Sequence, residues 1–84
     1  MDKQQLIDIY DKRATYGYVE TIQKMFDLCN GKAIIIPYTD YITYKGYIIH
    51  NDVTYNIEGL IYDVLLKEGF IELINKLMKA MEWF

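Results

Sequence analysis

The sequence predicts an α+β fold: a three-stranded antiparallel meander with two helices before it and two after it, packed on one face. Three observations carry this. Apolar residues recur at helical spacing through residues 3–29. They then alternate with a period of two between short turn signals over residues 33–57. From residue 58 to residue 83 the helical spacing returns.

The first helix is expected over residues 3–13, with Asp2 as its cap and Leu6, Ile7 and Tyr10 on one side. A second covers residues 17–29, where Tyr18, Ile22, Met25, Phe26 and Cys29 form a stripe opposite Glu20, Gln23, Lys24 and Asp27. At about 100° per residue the two stripes point roughly 90° apart, so one straight helix could not bury both against one partner. A break or kink is therefore expected at Thr15, Tyr16 and Gly17, and the pattern leaves open whether the segment is two helices or one kinked one. Asn30 and Gly31 end the second helix.

The β-branched run 33–36 stops at Pro37, which cannot donate to a ladder and so marks an edge strand. Thr39 and Asp40 turn into a strand over residues 41–50, and Asn51 and Asp52 turn into another over residues 53–57. Two-residue turns place Ile35, Pro37, Ile42, Tyr44, Gly46, Ile48, His50, Val53, Tyr55 and Ile57 on one face. Ile34, Ile36, Thr43, Lys45, Tyr47, Ile49, Thr54 and Asn56 take the other. The first face is nearly all apolar, and a one-residue slip would destroy the separation. Residues 58–68 then read as a helix apolar almost all round and capped by Gly69, and residues 70–83 as the last helix. The apolar arc of that last helix covers about half its circumference, with Trp83 on the polar side.

At 84 residues the chain is a single domain, 1–84. A domain of this size buries only about 60–65% of the surface its unfolded chain exposes, so its core must be dense. The composition supplies that, with 52% hydrophobic residues and nine tyrosines. A single cysteine excludes an intrachain disulfide. The polar start, without the apolar run of a signal peptide, and the lack of a span of about 20 apolar residues imply a cytoplasmic protein with no membrane role. Thirteen isoleucines and eight lysines against one arginine follow A/T-rich codons, which suggests a low-GC genome or a phage.

Most catalytic motifs are absent. No serine occurs, so serine-nucleophile chemistry is excluded, and no phosphate-loop, dinucleotide or H-E-x-x-H motif is present. Cys29, His50 and Asp52 are the only ingredients for a nucleophile, base and orienter. Cys29 falls on an apolar stripe, where a lone cysteine is usually a small buried hydrophobe. His50 reads as a structural histidine beside a turn. One histidine and one cysteine cannot build a tetrahedral zinc site, and Asp8 and Asp11 read as a solvated helix face. The expectation is a non-enzyme without cofactor or metal.

Tyr38, Tyr41, Tyr44 and Tyr47 recur every three residues, so in strands they divide between faces. Tyr41, Lys45 and Tyr47 share the outward one. Such a patch suits a protein hot spot or a base-stacking platform, and the net charge of −3 favours protein over nucleic acid. The wide arc of the last helix has two readings: a surplus that serves as a homodimer seam or a partner groove, or packing on both the first helix and the sheet. The sequence thus leads to a small non-enzymatic protein-interaction module, of the sort a phage or mobile element encodes to regulate or inhibit a larger host protein. Its contact residues are taken as Tyr41, Lys45, Tyr47, Trp83 and Phe84. The alternative is a nucleic-acid-binding regulator that uses the Tyr/Lys sheet face.

Overall fold

The computed structural model describes residues 3–83. Three helical segments come first: α1 (Lys3–Asp11), α2 (Arg13–Tyr16) and α3 (Tyr18–Leu28). The sheet follows, with β1 (Gly31–Pro37), β2 (Tyr41–His50) and β3 (Val53–Tyr62). A 3-10 turn over Asp63–Leu65 leads into α4 (Leu66–Met81). The fold is α+β, with the strands in the order β1-β2-β3 and every pair antiparallel.

The break in residues 3–29 is double. The helix is interrupted at Lys12 and again at Gly17, whose φ of +83° lies where a side chain would be strained. The Gly17 carbonyl then accepts from both the Thr21 backbone N–H (3.0 Å) and the buried Thr21 hydroxyl (2.7 Å), which anchors the start of α3. The Asp2 cap lies outside the described residues.

Register within the meander is as the alternation predicts. Pro37 faces Ile42 across the first turn, and His50 faces Val53 across the second. Asn51 and Asp52 adopt φ of 52° and 65°, the mirror-image turn whose twist matches that of the flanking strands.

One expected element is corrected. Residues 58–68 are not one helix: β3 continues to Tyr62, a 3-10 turn covers Asp63–Leu65, and residues 66–68 already belong to α4, which contains Gly69 rather than being preceded by it as a cap. The reason is non-local. β2 is ten residues long, and its pairing runs from His50↔Val53 back to Tyr41↔Tyr62. Had β3 stopped at residue 57, the start of β2 would have lost the ladder partners that backbone amides require. The four-helix count thus comes from α1, α2, α3 and α4, with a single long helix after the sheet.

The helices cover one face of the sheet. α3 lies on β1 and β2, α4 lies on β3, and α1 bridges α3 and α4. Leu6, Ile22, Met25, Phe26, Ile48, Ile61, Phe70, Leu73 and Leu77 are fully enclosed between the layers. Fully burying one such side chain stabilises the fold by about 1.5–3 kcal/mol. Of the glycines that allow close approach, two involve β3 and its neighbours. A Cβ on Gly69 would lie 2.9 Å from Ile61 Cγ2, so α4 sits directly on β3 there. A Cβ on Gly59 would lie 2.5 Å from the Tyr44 hydroxyl, because the Tyr44 ring crosses over its cross-strand partner.

The wide apolar arc of α4 is occupied within the chain. Phe70, Leu73, Ile74, Leu77, Ala80 and Met81 are buried, and Ile71 is the one large exposed hydrophobe on this helix. None of the helices among the described residues is long and apolar enough to cross a membrane.

Candidate binding surface

Because every helix lies on one side, the second face of the sheet has no covering layer among the described residues. An open antiparallel face usually carries polar side chains. Here the alternation puts Ile34, Ile36, Tyr47, Ile49, Leu60 and Tyr62 in solvent, with Ile34 71% exposed. Val64, in the turn after β3, is 89% exposed. Strands about 4.8 Å apart and about 3.3 Å per residue make the face about 14 Å wide and 25–30 Å long. That is on the scale of the largest apolar patches of monomeric proteins, which are often functional.

The sequence-predicted residues divide. Tyr41, Lys45 and Tyr47 stand together on the outward side of β2. Tyr41 is part of an aromatic cluster: its ring stacks on Tyr38 at 4.7 Å and lies 6.0 Å from Tyr62, its cross-strand partner. Lys45 sits between Ile34 and Glu58, and Tyr47 between Lys32 and Asn56. Lys32, Lys45 and Glu58 are the only charged residues in these outward rows, so the face is close to neutral.

Trp83 is elsewhere. It follows α4 in the helical layer and packs, half-buried, against the core. Glu82 adopts a left-handed φ of 60°, and the Trp83 N–H donates to the Met78 carbonyl at 2.9 Å, which folds the chain end back on the helix. Phe84 lies outside the described residues. Leu60 and Tyr62, which belong to the open face, escaped the sequence reading because they fell in the segment read as helix. The available signal was the alternation of Ile57, Gly59 and Ile61 inward with Glu58, Leu60 and Tyr62 outward.

The groups considered for catalysis are placed apart from this face. Cys29 is fully enclosed, and burial pushes its thiol up to about 12. That is the opposite of what a thiolate nucleophile needs. His50 Nε2 lies 3.3 Å from Glu82 Oε2 and 3.3 Å from Asn51 Nδ2, at the β2–β3 turn. A further polar group ties α4 to the sheet: Lys76 Nζ donates to the Glu58 carbonyl on the free edge of β3 (2.8 Å) and pairs with Glu72 (3.1 Å). Burial alone would lower the Lys76 ammonium, but Glu72 and the Tyr44 hydroxyl outweigh it and the net direction is up. The Tyr44 phenol is itself raised by burial, against the lowering influence of Lys76.

No group of three or more histidine, cysteine or carboxylate side chains among the described residues could hold a metal. No protein-family model, curated protein or solved structure matches this chain.

Proposed function

We propose that this protein is a non-enzymatic interaction module that docks on a larger protein through the open face of its sheet and regulates or inhibits it. The observation that carries the reading is the contrast between the two sheet faces. One is covered by the helices except near the second turn, where Val53 and Tyr55 are exposed, whereas the other leaves isoleucine, leucine and tyrosine side chains in water along its length. Tyrosine set among aliphatic side chains is the composition that interface centres favour. The small size and A/T-rich residue usage fit a regulator encoded by a phage or mobile element.

The face is also poor in the cations a nucleic acid needs. With two lysines on it, counterion release would give a salt slope of only about −1.4 to −1.8.

The test is a comparison of three tagged proteins: wild type, Ile34→Glu/Leu60→Lys on the open face, and Ile71→Glu on the exposed side of α4. Each is used to capture partners from host cells and from the same cells infected by phage. The expected result is a protein retained by the wild type and by Ile71→Glu but lost with the open-face pair. Equal retention by all three, or capture of nothing, refutes the reading. A mobility shift of single-stranded DNA or RNA that the open-face pair abolishes would transfer the face to nucleic acid.

A further inference from the structure

At one end of the sheet a cleft of about 250 Å³ opens where four parts of the chain meet. The start of α3 supplies Tyr18, the β1–β2 turn supplies Tyr38, β2 supplies Tyr41, and the turn before α4 supplies Asp63. Ile42 and Leu66 are among its apolar lining. We infer that this cleft receives an arginine side chain of the partner protein. The inference rests on the reading of the molecule as a protein-docking module but concerns a neighbouring site, which shares Tyr41 with the open face.

Three features select that occupant. The first is size: drug-sized and cofactor pockets run to about 300–1,000 Å³, so this cleft suits one long side chain rather than a cofactor. The second is charge. The lining includes the acidic residue Asp63 and no lysine, arginine or histidine, so a cation entering it meets an acidic neighbour and no competitor. The Asp63 backbone is tied to the first hairpin by its N–H, which donates to the Asp40 carbonyl at 2.9 Å, so the carboxylate is carried on a braced backbone. The third is shape. Tyr38 and Tyr41, both in the lining, stack with 22° between their planes, so two aromatic rings stand beside the acidic residue. A planar guanidinium stacks on such rings and reaches a carboxylate with its forked N–H donors, which a compact lysine ammonium does not. Within the chain both kinds of cation meet tyrosine rings, Arg13 over Tyr10 at 4.1 Å and Lys24 over Tyr16 at 4.6 Å, so it is the forked donors, not ring stacking alone, that select arginine.

The experiment needs no knowledge of the partner. Amide ¹H–¹⁵N spectra of the full chain are titrated with N-acetyl-arginine methylamide and, separately, with the neutral citrulline analogue. The arginine compound should shift the amides of Tyr18, Tyr38, Thr39, Tyr41 and Asp63 saturably, with a midpoint on the order of 1–10 mM. The citrulline compound should not. Asp63→Asn should weaken the midpoint about three- to tenfold, and Asp27→Asn, on the exposed side of α3, should leave it unchanged. Tyr38→Leu, a change at a half-exposed side chain, serves as the second variant if Asp63→Asn perturbs folding. Shifts that scatter over other carboxylates without saturating, or a midpoint unmoved by Asp63→Asn and Tyr38→Leu, overturn the assignment. That outcome would leave the open sheet face standing, because the capture experiment tests the face without reference to the cleft.

Discussion

Replacing Gly69 by alanine sets two effects of opposite sign against each other. Glycine inside a helix is less favourable than alanine by up to about 1 kcal/mol, and somewhat less in a first turn, so local propensity alone predicts a gain. Packing opposes it. The new Cβ would lie 2.9 Å from Ile61 Cγ2 and 3.1 Å from Ile61 Cα. The Ile61 side chain is fully enclosed and β-branched, so it has little room to rotate. Its Cα belongs to a paired strand and cannot retreat alone. The helix must therefore lift along its contact with β3, which loosens Phe70, Leu73 and Leu77 together. Overpacking of this kind costs about 1–3 kcal/mol. The net expectation is a loss of roughly 0.5–2 kcal/mol, or a fall in Tm of roughly 4–8 °C per kcal/mol. Urea denaturation read by Trp83 fluorescence and far-ultraviolet circular dichroism measures it. A midpoint that rises at unchanged m-value would show that propensity wins, and would refute the close approach of α4 to β3.

Two further outcomes follow from the backbone and the core. Asp52→Gly should stabilise the protein by about 0.5–1 kcal/mol, because glycine occupies the left-handed second turn position without strain, and the same urea titration would show a lower midpoint if that is wrong. For Cys29, the folded thiol is raised to about 12 from an ordinary value of 9.0, so its contribution to stability is complete below pH 9 and is lost as pH rises from there towards 12. Wild type should therefore lose stability faster than Cys29→Ala in that window, by up to about 1.4 kcal/mol per pH unit, whereas parallel pH profiles for the two would contradict the burial.

The meander could be read from the sequence because its determinants are local. Asn51 and Asp52 fix a two-residue turn, Pro37 marks an edge, and the alternation on either side allows one register. The second half of β3 could not. Residues 58–68 are apolar almost all round, which is as compatible with an inner helix as with a strand, and what decides between them is the ladder demand of β2, a property of another element. The site divided along the same line. Tyr41, Lys45 and Tyr47 were legible as outward residues, but Leu60 and Tyr62 went with the misread segment. A helical projection put Trp83 on a polar arc, yet the helix ends at Met81 and the left-handed Glu82 redirects the chain, so the projection no longer applies two residues later. The cleft at the sheet end draws its lining from four separate elements and leaves no contiguous trace.

Pro37 has a bearing on the fate of the protein at high concentration. The Tyr38 N–H is used by the Tyr41 carbonyl, so by ladder alternation residue 37 turns its backbone to the free edge of β1. A strand from another molecule adding to this edge would reach for a donor there and find the proline ring. The neighbouring run 33–36, an alanine and three β-branched isoleucines without charge, is the kind of segment that recruits copies of itself into stacked fibrils. The proline thus acts as a gatekeeper, which closes one end of the run to that growth while leaving the broad face of the sheet open for a legitimate partner.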